Sequence, residues 1–187
     1  MNAEDYIDAF QNILKMKLNR KQHQELAVVL VECCAQESTF NTYYLFLIEK
    51  LIELRKELKF SIQYAFWDQF KLLENFTLRK ICNLAKLLAL LIRKKTLGLG
   101  SIKGLEFDEK NEHILLFVKA FIRGLLDDEV NRKEIGEWVE KVKRNEENLS
   151  FCEGFYEYLK KKVYIEMKDD IIKEKIKILL GFLKVDL

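Results

Sequence analysis

A chain of 187 residues, 49% hydrophobic and 33% charged, is long enough to bury one sizeable core, and this balance excludes a disordered polypeptide. Its 32 basic and 30 acidic residues nearly cancel, so charge gives no argument for a nucleic-acid face. Proline is absent, which disfavours a turn-rich β fold and favours helices joined by short polar connections, expected here as a single helical domain over residues 1–187.

In chain order, the acidic start Met1–Tyr6 lacks the basic and apolar pattern of a signal peptide, so none is expected. Tyr6, Phe10, Ile13 and Leu14 line one face of a first helix. A polar break at Asn19–Gln24 precedes a second apolar run, Leu26–Cys34. A third helix is predicted over Tyr43–Leu58, with Tyr44, Leu47, Ile48, Leu51, Leu54 and Leu58 at helical spacing. Lys59-Phe60-Ser61 reads as a tight break, followed by a fourth helix with Ile62, Phe66, Phe70 and Leu73. After Glu74–Thr77, Thr77 is the expected N-cap of a fifth helix running to about Lys95.

Leu97–Gly104 is rich in glycine, yet Leu97, Leu99, Ile102 and Leu105 recur regularly and predict a packed crossover. Asp108–Asn111 opens a sixth helix with Ile114, Val118, Phe121, Ile122 and Leu125 inward. Ile135, Trp138, Val139 and Val142 mark a seventh. Phe151, Phe155, Tyr158 and Leu159 mark an eighth, and Ile172, Ile176, Leu179 and Leu183 a ninth. Antiparallel packing of neighbouring helices is the simplest way to bury these stripes, so the fold class is all-α, a HEAT-like stack of antiparallel helix pairs. The most apolar run, Leu84–Ile92, is interrupted by Lys86 and is far too short to span a membrane. An intracellular, soluble chain without membrane attachment is expected.

Candidate chemistry is sparse. His23 and His113 have no neighbours at metal-ligand spacing, and Cys33, Cys34, Cys82 and Cys152 are not paired at such spacing either. A nucleophilic Cys33 would need a histidine partner and an orienting group, which the sequence does not supply. No phosphate-binding, dinucleotide-binding or zinc-protease motif occurs, so neither catalysis nor a cofactor is expected. Two basic clusters, Arg93-Lys94-Lys95 and Lys160-Lys161-Lys162, are explained by solvated helix ends or faces; contact with an RNA backbone is the alternative. The acidic group Asp127-Asp128-Glu129 reads either as a cap for a helix starting near Asn131 or as a docking point for a basic partner.

The run Cys33-Cys-Ala-Gln-Glu-Ser-Thr-Phe-Asn-Thr-Tyr-Tyr44 closely fits the form Cys-Cys-x-Gln-Glu-x-x-[Tyr/Phe]-Asn-x-[Phe/Tyr]-Tyr. It resembles a turn in the MA-three domain of nucleolar proteins that also carry a middle domain like that of the large translation-initiation scaffold. Phe60–Phe70 is similar to the family's Trp-Asp-containing helix, and Lys95–Phe107 resembles its Lys-x-Leu-x-Leu crossover. The likeness covers roughly residues 20–126, with residues 127–187 as a helical extension.

The resemblance implies a non-enzymatic interaction module of a nucleolar or nuclear small-subunit ribosome-assembly factor, acting in pre-rRNA processing. Its implied partners are a DEAD-box RNA helicase and pre-ribosomal proteins. The alternatives are a regulator that binds the initiation helicase directly, and an RNA-binding helical scaffold. The family's middle domain is not in these residues, so a fragment or a reduced protein is expected. In translation-inhibitor relatives the loop before the fifth helix carries an Asp-x-Pro-x-Ala element; here it is Glu74–Arg79, without proline. Asp68, Glu74 and Arg79 are the expected partner contacts, and Arg93, Lys94 and Lys95 the candidate RNA contacts. Cys33, Cys34, Gln36, Glu37, Asn41 and Tyr44 are expected to be structural, setting the angle between the second and third helices.

Overall fold

A computed structural model describes residues 5–184; the acidic start at residues 1–4 lies outside the described residues. The helices are α1 (Asp5–Lys15), α2 (Arg20–Gln36), α3 (Thr42–Leu54), α4 (Leu58–Phe70), α5 (Leu78–Arg93), α6 (Glu112–Leu125), α7 (Arg132–Lys143), α8 (Leu149–Tyr158), α9 (Tyr164–Glu166) and α10 (Asp170–Leu183). Short 3-10 turns at Leu73–Asn75, Leu99–Gly104 and Glu146–Asn148 join them, and a π-helical turn at Leu159–Val163 links α8 to α9. No strand occurs among the described residues. The helices stack as an all-α, HEAT-like array: α1 lies on α3, α2 on both α4 and α5, α5 on α6, and α7 on α10.

Helix α5 is the centre of this array. Ile81, Leu84, Ala85, Leu87, Leu88, Ala89, Leu91 and Ile92 are all fully buried, because the helix is covered by α2 and α3 on one side and α6 on the other. Apolar residues on nearly every side are what such a position demands. The predicted inward stripes of α6, α7 and α10 are buried as read. So are Leu97, Leu99, Ile102 and Leu105, which make the crossover a packed segment.

Three helix boundaries differ from the sequence reading. Asn19–Gln24 is not a break: Asn19 and Gln22 form a reciprocal capping box, with Asn19 Oδ1 accepting from Gln22 N–H at 3.0 Å and Gln22 Oε1 from Asn19 N–H at 2.9 Å. The break between α3 and α4 falls at Arg55-Lys56-Glu57, and Lys59-Phe60-Ser61 lies inside α4. Arg, Lys and Glu all favour helix, so no local signal marks that break. Leu58 sits one helical repeat after Leu54 but belongs to α4, buried there, while Leu54 is exposed. Leu14 also faces solvent, unlike Tyr6, Phe10 and Ile13 of the same helix. Finally, α7 is capped by Asn131 and Glu134, not by Asp127–Glu129.

The crossover is held by one aromatic. Trp67 of α4 donates its indole N–H to the Ser101 carbonyl at 2.7 Å. Its ring lies so close to Gly104 that a Cβ there would stand 2.5 Å from the ring atoms. Two of the family-like segments therefore meet face to face. Gly104→Ala is expected to destabilise the fold by about 1–3 kcal/mol, the range for overpacking a filled site, because the buried crossover backbone and the anchored indole cannot both yield. Urea denaturation measures the difference.

Candidate functional site

The family-like turn joins α2 to α3, and α5 closes it from below. Cys34 and Ala35 end α2 in the core, with no exposed surface. Asn41 is the N-cap of α3, its Oδ1 accepting from Tyr43 N–H at 3.0 Å. The Tyr44 hydroxyl donates to Glu37 Oε1 at 3.0 Å across the turn. Gln36 donates back to Glu32 Oε1 at 2.6 Å. Beneath them Asn83, a buried residue of α5, donates to the Glu37 carbonyl at 2.9 Å and the Ala35 carbonyl at 3.4 Å. These carbonyls stand at the end of α2, where helical partners run out.

Burial, reinforced by Glu37 and Cys33, pushes the Cys34 thiol up to about 12. Burial also raises Cys82 and Cys152. The Cys34 and Cys152 thiols, buried and held protonated, are poor nucleophiles, whereas Cys82 is exposed on the outer face of α5. Burial and then the bond to Glu37 push the Tyr44 phenol well above its ordinary range. Burial alone would raise Glu32, but hydrogen bonds from Lys80 and Gln36, with the Lys80 charge, outweigh it and the carboxyl is lowered. Lys80 Nζ stands 2.9 Å from Glu32 Oε1 and 3.7 Å from the Phe76 ring centroid, tying α5 to α2 at the surface. Among the described residues no three His, Cys, Asp or Glu side chains gather closely enough to hold a metal.

The expected partner contacts are spread over three elements. Asp68 on α4 is exposed and pairs with Lys71 at 2.7 Å. Glu74, in the 3-10 turn, accepts from Asn111 Nδ2 at 2.6 Å and so braces the cap of α6. Arg79 stands exposed in the first turn of α5. No hydrogen bond or ion pair joins the three.

The candidate RNA contacts are engaged with carboxylates. Arg93 pairs with Asp127 and with Glu129, the latter at 3.0 Å; Lys94 lies 3.5 Å from Glu49, and Lys95 3.1 Å from Glu137. The bare basic cluster read from Arg93–Lys95 is thus nearly neutralised, and Asp127 and Glu129 serve as its counterions. Asn83 went unread. Its signal was a single amide at a position whose neighbours Ile81, Leu84 and Ala85 are all apolar, where a buried polar group needs a partner.

The profile of the MA3 domain matches residues 1–98, just over half of the chain. The chain belongs to the MA3 domain family. Over 126 residues it is 37% identical to mouse nucleolar MIF4G domain-containing protein 1, covering 67% of this chain and 15% of that protein. Over 140 residues it is 34% identical to suppressor of glycerol defect protein 1 of Schizosaccharomyces pombe, covering 68% of this chain and 18% of that protein. A pre-mRNA-splicing factor CWC22 homolog of Caenorhabditis elegans is 35% identical over 88 residues, 47% of this chain and 10% of that protein. The chain therefore spans less than a fifth of the length of these relatives. MA3 domains are helical scaffolds that generally engage other proteins and generally do not catalyse reactions. In this MA3 domain the turn residues bond to one another and to α5.

Two outcomes follow for the turn. Asn83→Ala strands two carbonyls at the end of α2 and is expected to cost about 1–3 kcal/mol, the penalty for unsatisfied buried groups. Asn41→Ala loses a single cap and is expected to cost about 1 kcal/mol; chemical denaturation ranks the two.

A further outcome concerns pH. The Glu32 carboxyl titrates lower in the folded chain than its free value of about 4.3, so its contribution is present above that value and is lost as pH falls through the lower folded one. Glu32→Gln is expected to melt below the native protein at pH 7, with the gap closing below about pH 4. A melting-temperature series against pH tests this.

Proposed function

We propose that this MA3 domain is a non-enzymatic protein–protein interaction module of a nucleolar small-subunit ribosome-assembly factor, acting in pre-rRNA processing alongside a DEAD-box RNA helicase. The observation that carries the reading is the 37% identity over 126 residues to a relative whose name places it in the nucleolus. The match runs beyond the 98 residues of the MA3 profile and takes in the crossover, where Trp67 meets Gly104. The absence of proline from Glu74–Arg79 favours a mode of helicase contact other than that of translation-inhibitor relatives. Asp68, Glu74 and Arg79 are the proposed contact residues, with Arg79 the one least committed to the fold.

The splicing-factor relative favours a second reading, in which the module serves a spliceosomal assembly instead. Affinity purification of the tagged chain from its own cells, followed by identification of bound proteins and RNA, separates the two. Small-subunit pre-ribosomal proteins, pre-rRNA and a DEAD-box helicase are expected. Arg79→Glu is expected to reduce helicase recovery at least fivefold without changing the melting temperature, as for a surface contact residue. Recovery of spliceosomal proteins alone, or of the initiation helicase alone, overturns the proposal.

A further inference from the structure

A groove of about 450 Å³ runs between the outer faces of α5 and α6. Cys82, Lys86, Leu90 and Arg93 line it from α5, four or three residues apart and so on one helical stripe. Ala120, Arg123, Gly124 and Asp127 line it from the α6 side. The two helices come close at its floor, where a Cβ on Gly124 would stand 3.0 Å from the Ala89 Cβ. Small residues at the floor and longer ones at the walls make the surface concave.

The charges on the walls are unequally satisfied. Arg93, at one end, is shared by Asp127 and Glu129. Lys86 and Arg123 have no carboxylate partner among the described residues; Lys86 lies only over the Phe40 ring, 4.8 Å from its centroid. Phe40 belongs to the α2–α3 turn, so that turn helps to set the position of one wall.

We propose that this groove docks an acidic amphipathic helix of a partner protein. Its small apolar residues would lie against Leu90, Ala120 and Gly124, and its flanking carboxylates would pair with Lys86 and Arg123. A concave apolar floor between cationic rims is the complement of such a helix. Single-stranded RNA suits the groove less well. No aromatic ring lines it for base stacking. None of Asp68, Glu74 and Arg79 lines the groove, so the result does not depend on the proposed helicase contact.

The test uses the whole chain and a fluorescein-labelled peptide of about 18 residues, five turns of helix, with Leu and Ala on one face and Glu on both flanks. Fluorescence anisotropy is expected to show saturable binding that a scrambled peptide of the same composition lacks. Lys86→Glu and Arg123→Glu are each expected to weaken it about tenfold with unchanged melting, since both side chains lie on the groove's walls. A peptide with Lys replacing Glu should bind the double variant better than the native chain. Bound peptide should also slow maleimide modification of Cys82, read by peptide mass mapping. The proposal is overturned if the patterned peptide does not saturate, if the two charge reversals leave its affinity unchanged, or if Cys82 labelling is unaffected. It is equally overturned if a single-stranded RNA of random sequence protects Cys82 while the peptide does not.

Discussion

One buried amide ties α5 to the turn between α2 and α3. Helix α5 is covered on both sides, and nearly everything it buries is apolar; Asn83 is the exception. A buried amide with no partner would destabilise the chain by a few kcal/mol, a large share of a domain's net stability. Its partners are the Ala35 and Glu37 carbonyls, two groups that the end of α2 leaves without helical donors. Each side thus removes the other's penalty, and both penalties vanish only when α2 ends at the right height over α5. The bond from Tyr44 to Glu37 and the Asn41 cap then set how α3 leaves the turn.

From α5 the rest of the array follows by packing. Helix α4 reaches the crossover through Trp67, whose indole N–H holds the Ser101 carbonyl while Gly104 lies against its ring. The crossover delivers the chain to Asn111, which caps α6 and is braced by Glu74. Helix α6 then lies along α5, and their contact at Ala89 and Gly124 leaves a concave outer surface above it. A scaffold protein needs rigid surfaces at fixed angles more than it needs reactive groups. Here Glu37, Asn41 and Tyr44 use their side chains on internal bonds, and burial raises the Cys34 and Cys152 thiols so that they stay protonated.

Charge shows the same division of labour. Arg93, Lys94 and Lys95 look like a basic patch in sequence, but Lys94 meets Glu49, and Arg93 and Lys95 hydrogen-bond to Asp127, Glu129 and Glu137, residues 34 to 42 positions away. Pairs that reach solvent on one side, as Arg93–Glu129 and Lys94–Glu49 do, add little stability. Their effect is on the surface potential: a cluster that would attract phosphates becomes nearly neutral, and unpaired positive charge is left on Lys86 and Arg123 instead. Where a cation matters for recognition depends on which carboxylates the fold brings beside it.

The all-helical class, the stripes of α6, α7 and α10, the Thr77 cap and the packed crossover were legible in the sequence by itself. Helical periodicity and capping chemistry are local, and a residue's type at a given spacing carries them. The same locality misled at α3 and α4: Leu54 and Leu58 keep the period across Arg55-Lys56-Glu57, and only packing assigns Leu58 to the following helix. The turn's resemblance pointed to Asn41, Glu37 and Tyr44, but not to Asn83, which lies far along the chain and becomes their partner only once α5 lies beneath α2. Periodicity determined which residues face inward. Tertiary structure decided which polar groups meet, because a buried donor and its acceptor are chosen by distance in space, and no spacing along the chain encodes that distance.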